Sequence, residues 1–247
     1  MSGHSKWHNI RVKKGKMDSI RGKMFSKITR ELIVAAKGGS NPEVNSRLRV
    51  AIEKAKEANM PTDNIERAIK KGSGELGGVS YDEVIYEGYG PSGVAIMVEA
   101  LTDNKNRTTA EIRSLFSKYG GSMGENGCVS WIFNKKGVIQ VPITVDEDKL
   151  MDLVIEFGAE DMIKENEYYN IFTLPQDLLE IKNVLEKNSV KTERVQIDMV
   201  PSTAIKLTGE NAVKFLKFLE ILEEQEDVQN IYSNFDIDEE EIKLIAS

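Results

Sequence analysis

One cysteine, two histidines and six prolines in 247 residues leave few ingredients for catalysis, metal binding or a disulfide framework. Cys128 stands alone, so no intrachain disulfide can form, and a reducing, cytoplasmic setting is expected. His4 and His8 are the only histidines, four residues apart near the start. A Ser-His or Cys-His scheme would have to carry one of them to a distant part of the fold. No Cys or carboxylate lies close enough in sequence to complete a metal set with them. No apolar run approaches the roughly 18 residues of a membrane span. The basic start has no apolar stretch behind it, so no secretory signal is expected. A transit peptide is not expected either, because Trp7 to Lys37 runs on into folded sequence. Gly88 to Gly93 fits the letters G-x-G-x-x-G, but a strand follows where a dinucleotide site needs a helix; a hairpin turn is the reading. There is no G-x-x-x-x-G-K-[ST], and the acidic residues scatter without an evident catalytic pair. The expectation is a non-enzymatic chain with no cofactor, no metal and no small-molecule substrate.

Charge is abundant and unevenly divided. Residues 1–75 hold 17 Lys+Arg against 8 Asp+Glu, whereas residues 76–247 hold 16 against 32. The net charge of -7 therefore conceals a basic module joined to an acidic one. Fields act over a Debye length of roughly 10 Å at 0.1 M salt, so a polyanion meets the module and not the average. The first 37 residues carry ten cations against Asp18 and Glu31, which points to phosphate.

The segment 2–17 has too few apolar residues to offset the entropy of ordering by itself. From Asp18 to Lys37, Ile20, Met24, Ile28, Leu32 and Ala35 recur at helical spacing, with Lys23, Lys27, Arg30 and Lys37 on the opposite face. A second helix is expected from an Asn41 N-cap with Val44, Leu48, Ile52 and Ala55 inward. A third follows Pro61, capped by Thr62 or Asp63, with Glu66 three residues after Asp63 as in a capping box and Gly72 as its stop. Gly72 to Gly78 reads as a linker. Beyond it come strands 81–89 and 94–101, helix 105–119 and strand 127–133. A complete β-α-β-β-α-β series occupies 137–199, and a last helix 208–224 and strand 228–232 follow. The fold expected is α+β: an N-terminal three-helix bundle (1–78) and two ferredoxin-like α+β domains. One of these (136–201) is inserted within the other (79–135 plus 202–247).

Candidate nucleic-acid-binding residues are His4, Lys6, Trp7, Arg11, Lys13, Lys14, Lys16, Arg21, Lys23, Lys27 and Arg30, whose cations neutralise phosphates and release counterions. Trp7 either stacks on an exposed base or folds onto its own bundle. The third helix carries Asn64, Arg67, Lys70 and Lys71 but no clear base-reading set. At the start of helix 105–119, Lys105 and Arg107 either hold a phosphate at the helix N-terminus, or Thr102 or Asp103 merely caps it. Gly120 to Gly127 reads as a flexible turn or a close approach to a ligand. Cys128 reads as a packed small hydrophobe in a strand. Asp236 and Asp238 to Glu241 read as a solvated acidic end, the alternative being a fold-back onto the basic arm.

The stretch Gly3-His4-Ser5-Lys6-Trp7-His8-Asn9-Ile10, with Arg21-Gly22-Lys23 and Phe25-Ser26-Lys27, resembles the start of the YebC family. Asn59 to Ile65, Tyr86 to Pro91, Thr102 to Thr108 and Val129 to Phe133 continue the resemblance in order and spacing. His8 departs from the small residue usual before Asn9. The resemblance implies a three-domain cytoplasmic protein described as a DNA-binding transcriptional regulator. It equally implies kinship with a mitochondrial translational activator and with factors that act on ribosomes at proline runs. The partner expected is nucleic acid, either DNA or ribosomal RNA, with the ribosome as an alternative target, no membrane, and the chain a monomer.

Overall fold

A computed structural model describes residues 17–77, 80–165 and 167–246. Three hydrophobic cores, with a smaller fourth cluster between two of them, divide it, beginning with a helical unit of α1 (Met17–Ala36), α2 (Ser46–Glu57) and α3 (Thr62–Gly72). Ile28, Leu32 and Ala35 of α1 meet Leu48, Ala51 and Ala55 of α2 and Ile65 and Ala68 of α3.

Helix α2 starts later than the sequence suggests, and Val44 is 83% exposed. The cap is Asn45 in place of Asn41: its Oδ1 accepts the Leu48 N–H at 3.0 Å while its Nδ2 donates to the Ala35 and Gly39 carbonyls at 2.8 and 2.7 Å. One side chain thereby closes the end of α1 and opens α2. The capping box on α3 does not form; Pro61 occupies the cap position without a side-chain bond. Gly72 is the last residue of α3, and its importance is spatial. A Cβ there would stand 2.3 Å from the Ile33 carbonyl oxygen and 2.7 Å from the Ala36 Cβ. Gly72→Ala should therefore push α3 off α1, costing about 1–3 kcal/mol, read as a lower urea midpoint for the helical unit.

The chain continues through β1 (Asp82–Tyr89), β2 (Ala95–Thr102), α4 (Lys105–Lys118) and β3 (Ser122–Met123). Next come β4 (Phe133–Pro142), α5 (Glu147–Glu156), β5 (Asp161–Lys164), β6 (Tyr168–Thr173), α6 (Leu178–Lys187) and β7 (Arg194–Pro201). It ends with β8 (Ile205–Lys206), α7 (Gly209–Glu224), β9 (Val228–Ser233), β10 (Phe235–Asp236) and α8 (Glu239–Ala246). The architecture is α+β, with two four-stranded antiparallel sheets in the orders β3-β1-β2-β9 and β5-β6-β4-β7. The outer unit runs β-β-α-β before the second series and β-α-β-β-α after it, whereas the series between them runs β-α-β-β-α-β. Strand β4 is continuous across position 136, with Phe133 paired to Pro201 at one end and Gln140 to Arg194 at the other.

Alternation along β2 builds the outer core. Ile96, Val98 and Ala100 face α4 and α7, where Phe116, Phe215 and Phe218 are fully buried. Ala95 and Met97 face the other way, onto Val129, Ile132, Phe133 and Met199 of β7. Both faces of the outer sheet are thus covered, one by helices and one by the second unit.

The strand expected at 127–133 is instead a loop with a short 3-10 turn at Ser130–Ile132. Its cause is Glu87, 5% exposed, whose carboxylate accepts the N–H groups of Gly127, Val129 and Ser130 at 2.8, 2.9 and 2.8 Å. The donors that a ladder would use are consumed. Burial pushes the Glu87 pKa up, but these backbone bonds prevail and hold it below the ordinary carboxylate value. Because the folded pKa lies below the unfolded one, near 4.3, this stabilisation is complete above about pH 5 and is lost as acid protonates the group. Glu87→Gln keeps the shape, supplies one acceptor oxygen in place of two, and should cost about 2–4 kcal/mol at pH 7. Its penalty should shrink on acidification, measurable by urea titration at pH 7 and pH 4.

Cys128 lies half-buried in that loop, and burial raises its thiol pKa. The acidic end keeps Asp238 and Glu240 exposed, as expected, but it forms a helix, α8, whose Ile242 is fully buried, and Asp238 lies 3.3 Å from Lys206.

Candidate nucleic-acid interface

Of the candidate residues, His4, Lys6, Trp7, Arg11, Lys13, Lys14 and Lys16 lie outside the described residues, as does the Arg21 side chain. The cations of α1 that are described face the outer unit. Lys27 Nζ donates to the Glu223 carbonyl at 2.9 Å, and Lys23 stands 3.7 Å from the Glu224 carboxylate. The Arg30 guanidinium donates to the Glu226 carbonyl, approaches the Asp227 Oδ1 at 3.4 Å and lies over the Tyr81 ring. Lys37 donates to the Ser80 hydroxyl at 2.9 Å and the Tyr81 carbonyl at 2.6 Å. Positions 23, 27 and 30 share one helical stripe and meet the carbonyl end of α7, where its macrodipole is negative. Val34, the next residue on the same stripe, is buried, so α1 is packed on two sides.

The second candidate cluster joins the same place. Asn104 caps α4, accepting the Arg107 N–H at 3.1 Å, in place of the Thr102 or Asp103 cap expected. Lys105 Nζ is 3.5 Å from Asp82, an exposed pair. Arg107 reaches Asp103 at 2.7 Å and Asp227 at 2.9 Å. Asp227, whose side chain is 3% exposed, also accepts the Thr108 hydroxyl at 2.6 Å, and Thr108 lies 2.7 Å from the buried Thr102 hydroxyl. Arg30 from the helical unit and Arg107 from the outer unit thus converge on one buried carboxylate. Burial pushes the Asp227 pKa up, while the Thr108 hydroxyl and the two guanidiniums bring it below its ordinary value.

A further attachment is bidentate: Arg47 of α2 holds both Glu83 oxygens, at 2.8 and 2.9 Å. Hydrogen bonding to Arg47 lowers the Glu83 pKa, against the opposing effect of burial. The acids Glu83, Glu224, Glu226 and Asp227 were not singled out by sequence reasoning. The signal available was the run Glu223-Glu224-Gln225-Glu226-Asp227, opposite in sign to the stripe on α1.

Exposed cations are spread over the described residues, Arg49 and Lys56 on α2, Arg113 and Lys118 on α4 and Lys149 on α5 among them, and α3 carries a compact set. Arg67, Lys70 and Lys71 are exposed and follow at i, i+3 and i+4 on one face. Asp63 in the first turn of the same helix gives its other end the opposite charge. No described helix is long and apolar enough to cross a membrane, and no three described His, Cys, Asp or Glu side chains form a group able to hold a metal.

A basic helical unit joined by a glycine-rich linker to two acidic α+β units defines the class of protein. Residues 5–75 match the model of the TACO1/YebC protein N-terminal domain, and residues 81–235 match that of the TACO1/YebC second and third domain. The chain belongs to the TACO1/YebC family. A probable transcriptional regulatory protein of Persephonella marina is 54% identical over 250 residues, covering all of both chains. One of Geobacter sulfurreducens is 54% identical over 99% of this chain and 100% of its own. Among solved structures, a conserved hypothetical protein of Aquifex aeolicus, Aq1575, is 53% identical with a TM-score of 0.76, over 90% of this chain and 93% of that one. The names of the relatives make this a family of regulator-type proteins.

Proposed function

We propose that the chain is a non-enzymatic, cytoplasmic, nucleic-acid-binding regulator of gene expression that acts as a monomer and grips the phosphate backbone through its basic N-terminal unit. The observation that carries this is the partition of charge: 17 cations against 8 anions in residues 1–75, beside a strongly acidic remainder. Lys6, Arg11, Lys13, Lys14, Lys16 and Arg21 supply phosphate contacts, His4 contributes a phosphate or base contact, and the α3 stripe of Arg67, Lys70 and Lys71 adds a second line. Binding to DNA as a transcriptional regulator accords with the names of the relatives.

The second reading is a ribosome-associated translation factor that binds ribosomal RNA and relieves stalling at proline runs. It is favoured by the charge order of α3. A recognition helix leads into the major groove with its N-terminal residues, and here that end carries Asp63 while the cations lie at the far end. Such an arrangement suits backbone recognition of folded RNA better than base readout. Formaldehyde crosslinking in cells, with the DNA and RNA recovered together and sequenced, separates the two. Promoter DNA without ribosomal RNA supports the first reading; ribosomal RNA enriched at one functional centre supports the second. Recovery of neither would discard both. Trp7→Ala is expected to weaken binding about 5- to 150-fold at every salt concentration without altering the salt slope, if Trp7 stacks on a base.

A further inference from the structure

Each cross-unit ion pair among the described residues has its cation on the helical unit and its anion on the outer unit: Lys23 with Glu224, Arg30 with Glu226 and Asp227, Arg47 with Glu83. The two units keep separate apolar cores, and apart from Tyr81, which packs against the helical core, the contacts described across their junction are ion pairs and hydrogen bonds. We propose that the stripe Lys23, Lys27 and Arg30 is a shared anion site, filled by the carboxyl-terminal end of α7 in the closed molecule and by nucleic-acid phosphates in an opened one.

The inference rests on the nucleic-acid reading above and adds to it that binding and interdomain closure exclude one another. Three features support it. The stripe spans about 10 Å along the helix axis, so a single nucleic-acid strand can present phosphates to all three cations. Two of its present partners are weak competitors, since Lys23 and Glu224 are both about half exposed and Glu226 is 82% exposed, while the buried Asp227 keeps Arg107 and the Thr108 hydroxyl when Arg30 leaves. Residues 73–77 give the helical unit a glycine-containing tether, with positive φ at Gly74 and Gly77, so the unit can swing without breaking a helix or strand. Arg47–Glu83, exposed on both sides, opens in the same movement.

Carbodiimide coupling tests this on the full chain, because it joins a lysine to a carboxylate only where the two touch. Lys23–Glu224 reports closure, and Lys54–Glu31, 2.8 Å apart within the helical unit, is the internal control. Titration with a DNA duplex or an RNA hairpin of about 20 base pairs, its binding followed by fluorescence anisotropy, should abolish the first cross-link and spare the second. In parallel, Glu224→Gln with Glu226→Gln should raise affinity roughly three- to tenfold by removing the competing anions. Asp152→Asn with Glu180→Gln, exposed positions that make the same change in net charge on the other unit, should raise it less.

Binding with the Lys23–Glu224 cross-link intact overturns the shared site and leaves the nucleic-acid reading standing. Equal gains from the two double variants overturn it as well. Absence of any binding removes both, and an unchanged cross-link pattern with flat anisotropy identifies that case.

Discussion

Binding of the full chain to a DNA duplex is expected to weaken about 10⁵-fold between 50 and 200 mM salt. Nine cations, Lys6, Arg11, Lys13, Lys14, Lys16 and Arg21 of the N-terminal segment with Arg67, Lys70 and Lys71 of α3, each neutralise one phosphate. Each phosphate contact contributes about -0.9 to the slope of log affinity on log salt. Lys23, Lys27, Arg30, Lys105 and Arg107 add little to this slope, because each already has a partner within the molecule, and exchanging one anion for another releases few counterions. Replacing Lys13, Lys14 and Lys16 together by Ala should reduce the slope by about 2.7, and replacing Lys70 and Lys71 by about 1.8. A slope that none of these substitutions alters would move the interface to another part of the chain. Lys105→Ala, at an exposed pair, is the control that should leave it unchanged.

Asp227→Ala should destabilise the protein by about 2–4 kcal/mol and loosen the helical unit from the outer one. The carboxylate is nearly inaccessible and serves Arg30, Arg107 and Thr108 at once. Its removal leaves a half-buried guanidinium and a buried hydroxyl without their anion. The expected readouts are a lower urea midpoint and faster proteolysis in the 73–80 linker. Since the folded pKa of Asp227 is depressed, its contribution is complete above about pH 5 and falls away as the pH drops below the unfolded value of about 3.9. Wild type and variant should therefore converge in stability on acidification. A constant difference down to pH 3 would show that packing, not charge, is what the substitution removes.

Much of the fold was legible in the sequence because hydrophobic period and turn residues are local signals. Ile28, Leu32 and Ala35 declared the buried side of α1, and alternating apolar residues declared β1, β2, β4 and β6. The errors fell where a distant group decided the backbone. Residues 127–133 have strand composition, but Glu87, some 40 positions earlier, takes their N–H groups. Asn41 and Asn45 are equally good caps by type, and only the approach of the α1 end selects Asn45.

The sequence by itself determined the separation of a basic unit from two acidic ones, the family, and the three segments that make three cores, since composition and period need no knowledge of contacts. Which cations remain available to a partner was decided by tertiary structure alone. A lysine on a helical wheel faces away from its own core, but whether it then faces water or a carboxylate depends on the element packed alongside. For Lys23, Lys27 and Arg30 that element is the end of α7, nearly 200 residues downstream. Opposite charge drew together what the sequence lists far apart.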